Sequence, residues 1–414
     1  MSHTENKSMV ENKKIVIFGA GKIGRSFIGQ LFGCNGYKVV FVDVDPGIIK
    51  LLNERGNYRV VIKGEKEEEI IVPNVEAISA FERGKVADAV STAGIMAISV
   101  GKNALEKVVP AIAEGLMLRY RTHPEAPLDI ILAENMRSAA DFINELLEKY
   151  LPSDYPADKL VGLIETSIGK MVPIITATDL EKDPLVVFAE PYNTLILDGK
   201  GFKSPIPGIK GLAPKSNIKA WVDRKAFIHN LGHATAAYYG HYLHPEAVFI
   251  YEVLDDINVF DFTREVMLQS AEILLAAYPD DFTLADLDEH INDLLHRFRN
   301  KALRDTIYRV GQDLPRKLGS DDRFMGAVHL ADHFGKPYYR ILEAMSYGLT
   351  FNVADESGIS SPGDLAFLKQ IAEDFEVTLV DRLGYDPIID RSVIDGLKIL
   401  YKLNSKISNS PINN

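Results

Sequence analysis

The chain opens on polar residues (MSHTENKSMVENKK) and turns apolar at Lys14–Phe18 (KIVIF), a β-branched run that ends in glycines. Behind the glycines, Gly21–Phe32 spaces its apolar residues as one face of a helix does, so the opening reads strand, tight turn, helix. The alternation continues. Strands are predicted at Tyr37–Val42, at the hairpin-like pair Tyr58–Ile62 and Glu69–Val72, and at Ala89–Ser91, Met96–Val100, Ile130–Ala133 and Val161–Ile164, with helices at Pro46–Glu54, Ala104–Gly115 and Ser138–Tyr150. Strands alternating with helices imply a mostly parallel sheet covered on both faces. The stretch Gly199–Pro214 is rich in Gly, Pro and Lys and reads as a linker. Beyond it strand signals nearly vanish, and Lys219–Gly240, Ala247–Leu254, Phe262–Tyr278, Leu284–Asn300 and Tyr338–Gly348 carry helical periodicity. The expected organisation is a tail at 1–13, an α/β domain at 14–214, a mainly α-helical domain at 215–403 and a second tail at 404–414, with no internal repeat.

Composition adds limits. At 414 residues the chain exceeds what one core usually serves, which agrees with two domains. With 46% hydrophobic and 25% charged residues it is an ordinary soluble sequence. A formal net charge of −12 argues against general affinity for nucleic acid or anionic membranes, so any phosphate has to be met by local basic residues. Cys34 is the only cysteine, which excludes an internal disulfide. There is no apolar run long enough for a membrane span and no secretory-type stretch at the start, and a cytoplasmic location fits.

The first glycines form a G-x-G-x-x-G: Gly19, Ala20, Gly21, Lys22, Ile23, Gly24. Alone the motif is weak, but here it stands between a predicted strand and a predicted helix. The first glycine allows the tight turn, the second lets backbone approach a pyrophosphate, and the third permits close helix–strand packing at a helix N-terminus. Strand two ends in Asp43-Val44-Asp45. Asp43 is placed to accept from a ribose 2′-hydroxyl and to repel a 2′-phosphate, favouring NAD over NADP. Related turns also serve FAD and S-adenosylmethionine, so the motif fixes nucleotide binding more firmly than cofactor class. These features describe a Rossmann domain with a doubly wound sheet.

In the second half, the predicted helix 219–240 contains Lys225, His229, Asn230 and His233. At about 100° per residue Lys225, His233 and Asn230 fall at roughly 0°, 80° and 140°, one arc that could meet one ligand. His229 lies in the same arc, so periodicity does not choose between the histidines. A desolvated lysine can take a hydroxyl proton, an amide can polarise the developing carbonyl, and a histidine can orient a substrate. The bland alternative is a polar face packed on the other domain. His229 and His233 have the spacing of helical zinc ligands but lack the glutamate of H-E-x-x-H, so no metal is expected. Tyr155 and Lys159 mimic a Tyr-x-x-x-Lys pair, but Pro156 sits where a helix can only be starting.

Together FGAGKIGRSFIG, NYRVVIKGE, AENM at Ala133–Met136, DRKAFIHNLGHATAAYYG at Asp223–Gly240 and RVGQDLPRKLGSDDR at Arg309–Arg323 resemble the polyol-specific long-chain dehydrogenases of the mannitol dehydrogenase family. The likeness runs from about Lys14 to at least Arg323. It implies a Rossmann domain followed by a helical one, with catalysis in the cleft between them. The family's K-x-x-x-x-N-x-x-H falls on Lys225, Asn230 and His233, which selects His233 over His229. Lys225 is then the general acid/base, Asn230 shares the substrate oxygen with Asn135, and His233 contacts a substrate hydroxyl. The basic segment is closest to the phosphosugar members, making Arg309, Arg316, Lys317 and Arg323 phosphate candidates; interdomain salt bridges are the alternative. One segment departs: those members read roughly Asp-Arg-Ile-Val-Pro where this chain has Gly169-Lys170-Met171-Val172-Pro173. Lysine keeps the charge without the bidentate fork.

The expected activity is NAD-dependent, metal-free interconversion of mannitol 1-phosphate and fructose 6-phosphate. The nearest rivals are the same chemistry on a hexuronate or a free polyol; a metal-dependent dehydrogenase would lose activity to a chelator, and a non-catalytic NAD(H) sensor would bind without turnover. Oligomeric state is open.

Overall fold

The computed structural model describes residues 10–408; the polar ends outside that range, both expected to be tails, lie outside the described residues. Two compact units divide the chain between Val222 and Asp223.

In the first unit the strands are β1 (Glu11–Phe18), β2 (Lys38–Asp43), β3 (Asn57–Lys63), β4 (Glu67–Pro73), β5 (Val75–Ser79), β6 (Ala93–Ile98), β7 (Leu128–Leu132), β8 (Val161–Ser167), β9 (Val187–Ala189), β10 (Leu195–Asp198) and β11 (Leu212–Lys215). Among the described residues they make one eight-stranded sheet in the order β11-β10-β8-β7-β6-β1-β2-β5 and a three-stranded one in the order β4-β3-β9. From β5 to β8 all pairings in the large sheet are parallel, and β10 runs antiparallel to β8. Alternate residues feed two cores: Ile15, Ile17 and Phe41 pack with Phe27 on one face, and Val16, Phe18 and Val40 with Ile112 on the other. Both faces are covered, which is why these strands read as continuous apolar runs. Strand order reverses between β1 and β6, so the switch point lies at the carboxyl ends of those two strands.

Three readings change. The predicted strand Ala89–Ser91 ends the helix Arg83–Ser91, whose buried residues Val86, Ala89 and Val90 have helical spacing; three apolar residues cannot separate the two states. β1 starts at Glu11, inside the expected tail, because Glu11 N–H donates to Thr92 O. The expected linker Gly199–Pro214 joins paired strands β10 and β11, and Asp129 on β7 accepts from the backbone of Lys203 and Ser204 at 2.7 and 3.0 Å. Its glycines and prolines serve a crossover within one sheet.

The second unit is helical. Its long helices are Leu231–Leu243, Ile257–Ala277, Leu284–Phe298 and Arg391–Ser408, and only isolated bridges at Phe249–Thr306 and Ala354–Ser360 interrupt the pattern among the described residues. Arg391–Ser408 runs past residue 403, the expected end of the helical domain, into the expected tail at 404–414, with Asn404 buried and its amide donating to Ser346 at 2.9 Å. No helix among the described residues is long and apolar enough to cross a membrane.

Candidate active site

The glycine turn follows β1. Gly19 adopts φ +97°, and a Cβ there would meet Ser99 O at 2.4 Å, so only glycine allows the turn to lie against the end of β6. A Cβ on Gly24 would meet Gly19 O at 2.0 Å, which is the close packing the third glycine was expected to serve. At Gly21 a Cβ would meet nothing within 4 Å. Gly21 and Lys22 are exposed, Ile23 partly buried and Ala20 fully buried. The open space over Gly21 is where backbone can meet a pyrophosphate, and it opens at the switch point. The following helical segment contains a π-helical stretch, Gly24–Gly29, and closes with an α-helical turn, Gln30–Gly33.

Asp43 ends β2 beside this turn. Its Oδ2 accepts from Ala20 N–H at 2.6 Å, and its Oδ1 from Val44 and Asp45 N–H at 2.7 and 2.9 Å. Oδ2, with one bond accepted, keeps a lone pair for a ribose hydroxyl. Asp45 instead caps the helix Pro46–Arg55, accepting from Gly47 and Ile48. Two residues that sequence reading missed hold the turn. Buried Arg25 donates to Ala20 O and Leu185 O, both at 2.6 Å, and Glu134, within AENM, accepts from Val100 and Gly101 N–H after β6. Burial raises the pKa of Glu134 against those two bonds. Exposed Asn135 follows at the carboxyl end of β7.

Lys170 turns inward. It is 6% exposed, donates to Gln30 Oε1 at 3.0 Å and Asn193 Oδ1 at 2.7 Å, and lies over the Phe27 ring. Burial lowers its pKa to about 7 against the pull of nearby Glu190. Lys170 therefore ties the loop after β8 to the glycine-turn helix. Tyr155 and Lys159 do not form a catalytic pair: Tyr155 packs edge-on against Tyr120, precedes the short helix Ala157–Leu160, and is pushed up to about 12 by burial.

In the second unit, Lys225–Asn230 is π-helical within a longer helical run, with Leu231 N–H donating to Ala226 O. The wider turn changes the wheel, bringing Lys225 and Asn230 nearer to one face than the α-helical 140°. Lys225 is partly buried. Burial, then Arg323, lower its pKa to about 8; Asp322 opposes and Arg316 adds to the shift. Arg323 donates to Asn230 O at 3.2 Å and to Asp322 Oδ1 at 2.8 Å. His233 stacks on Phe298, with ring centroids 4.4 Å apart and planes 6° apart, and its Nε2 is 3.4 Å from Asp305 Oδ2. His229 is more deeply buried and meets Phe298 edge-on. No group of three or more His, Cys, Asp or Glu suited to a metal occurs among the described residues.

The four phosphate candidates separate. Arg309 pairs with Asp305, and Arg316 with Asp313 and Asp322. Lys317 is buried, donates to Val310 O at 2.6 Å, and is lowered to about 7 by burial and by Arg323 and Arg316. Arg309, Gln312, Arg316, Lys317 and Ser361 line a surface cavity of about 500 Å³. Arg323 stands apart from it, on the Asn230 carbonyl. Asp305 and Asp322 carried no sequence signal, since each matters only through partners brought to it by the fold.

Two family descriptions match the chain: the mannitol dehydrogenase Rossmann domain over residues 13–211 and the mannitol dehydrogenase C-terminal domain over residues 217–374. The chain is 32% identical over 345 residues to the mannitol-1-phosphate 5-dehydrogenase of Geobacillus stearothermophilus, covering 82% of this chain and 88% of that one. It is 33% identical over 338 residues to that of Streptococcus mutans, covering 81% and 86%. In fold it is similar to the Pseudomonas fluorescens mannitol 2-dehydrogenase ternary complex with NAD and D-mannitol, with a TM-score of 0.72 at 13% identity over 96% of this chain and 95% of that one.

Proposed function

Because the chain belongs to the mannitol dehydrogenase family, we propose that it is an NAD-dependent oxidoreductase interconverting mannitol 1-phosphate and fructose 6-phosphate, with Lys225 as the general acid/base. The relatives that cover most of its length act, by name, on that phosphate ester. The observation that carries the assignment is Lys225 itself: burial and a neighbouring arginine hold it near a pKa of 8, where an amine can both take and return a proton close to neutral pH.

The cofactor fits the first unit, with pyrophosphate on the Gly19–Gly24 turn over the open face of Gly21 and the ribose hydroxyls on Asp43. NAD held there would supply the acceptor for the hydride that leaves the substrate carbon. Neutral Lys225 takes the hydroxyl proton of the polyol, and in reduction its ammonium form returns a proton to the ketose oxygen. The Asn230 amide polarises that oxygen, and Asn135 is assigned the same task from the first unit. His233 accepts from a neighbouring hydroxyl. No metal is needed for these steps. Arg309, Arg316 and Lys317 line the open cavity, and of these the two arginines carry the fork that suits a phosphate, each shared with a carboxylate, Arg309 with Asp305 and Arg316 with Asp313 and Asp322; Lys317 is committed to a carbonyl and Arg323 lies apart on Asn230 and Asp322.

Inward-facing Lys170 keeps a hexuronate or free polyol as the second reading. NADH oxidation with fructose 6-phosphate, fructose and fructuronate separates them. Preference for the phosphate ester by at least about tenfold in kcat/KM, the worth of one charge-assisted contact, is the expected result. Equal or better turnover of fructuronate or fructose would move the substrate, and NADH binding without turnover of any ketose would make the protein a sensor.

A further inference from the structure

We propose that Asp305 is a positioning residue, whose carboxylate fixes which edge of the His233 ring faces the substrate. The inference rests on the reading above that His233 touches a substrate hydroxyl. Stacking on Phe298 fixes the plane of the imidazole, but a half-turn about the Cβ–Cγ bond exchanges its two edges and leaves the plane and the stacking unchanged. Something else has to choose the edge. Asp305 is 4% exposed, and its Oδ2 lies 3.4 Å from His233 Nε2. That nitrogen is out of contact with solvent and approaches the carboxylate without closing a hydrogen bond, whereas the whole side chain keeps 14% exposure.

The carboxylate is itself held. Arg304, at φ +53°, turns the chain just before it, Asp305 O accepts from Ile250 N–H at 2.9 Å, and Arg309 pairs with the carboxylate from one turn along. Burial, and then Arg309, Lys317 and Arg323, keep the pKa of His233 well below its ordinary value, so the ring is neutral at pH 7 and carries one N–H. A carboxylate beside Nε2 selects the tautomer with its proton there. Nδ1 is left as a bare acceptor for a hydroxyl donor.

The test compares His233→Asn, Asp305→Asn and the double variant in the full chain, reading kcat and KM for the preferred ketose, NADH affinity and Tm. Loss of an orienting partner of this kind typically costs about 10–100-fold. Asp305→Asn is therefore expected to lower kcat/KM at least tenfold with NADH affinity unchanged, and to have no further effect once His233 is asparagine. Independent, multiplying effects, or an Asp305→Asn enzyme with full kcat/KM, would overturn the inference. If His233→Asn alone changes nothing, the reading of His233 fails, and the role of Asp305 with it. Nitrogen-15 NMR of the wild-type imidazoles guards against variants that do not fold: an Nε2–H tautomer for His233 supports the inference, and an Nδ1–H tautomer overturns it.

Discussion

The glycine turn and the lysine helix are built on opposite principles. In the proposed function the turn binds with backbone, and its parts lie within six consecutive residues plus the aspartate that closes the next strand. The helix is proposed to work with side chains, and each is conditioned by residues far along the chain: Arg323 and Asp322 beside Lys225, Phe298 and Asp305 around His233. Each region also contains a π-helical stretch, Gly24–Gly29 in one and Lys225–Asn230 in the other. In the second it alters which side chains share a face. Substitutions should therefore behave differently in the two regions: in the turn steric fit decides, and in the helix proton affinity and charge decide.

The largest effect is expected at the base. Lys225→Ala should lower turnover by about 10²–10⁴-fold, the usual worth of a general acid/base, while NADH titration shows binding unchanged. An equal loss of NADH affinity would blur the division between the two regions. Within the turn, Gly24→Ala forces a Cβ onto Gly19 O and should lower Tm as well as NADH affinity, with overpacking costing about 1–3 kcal/mol. Gly21→Ala, with open space around it, should weaken NADH binding and leave Tm unchanged. If both variants melt early, the space over Gly21 is not reserved for a ligand.

A smaller effect is expected at the cavity. Arg316→Ala should raise KM for the phosphate ester about tenfold or more and leave fructose turnover as it was. The smallest concerns Lys170. Its folded pKa of about 7 lies below the ordinary lysine value of 10.5, so between those values the unfolded chain binds more protons and stability rises with pH. Lys170→Met should flatten that rise in denaturation curves taken from pH 7 to pH 10, with no change in KM.

The same contrast explains what could be read in advance. The strand, glycine turn, helix and Asp43 were legible because local backbone requirements dictate residue types at fixed spacing. Lys225, Asn230 and His233 stood out as a group, but it took the family pattern to prefer His233 to His229, and an α-helical wheel misplaces Asn230 because sequence does not announce a π-turn. Edge strand β11 was lost in a glycine- and proline-rich stretch, where the signal for pairing is weak. Arg25, Asp305 and Asp322 had no signal, since a buried charge is recognised only once its partners are known.

The central claim is that Lys225 carries the proton, and the pH dependence of kcat/KM for polyol oxidation tests it most directly. Oxidation needs the neutral amine, so the rate should rise with pH through a midpoint near 8, and ketose reduction, which needs the ammonium form, should fall over the same range. Arg323→Ala, by removing the neighbouring positive charge, should move that midpoint upward. The account is contradicted if the rise keeps its midpoint in Lys225→Ala, for the proton would then be carried by another group.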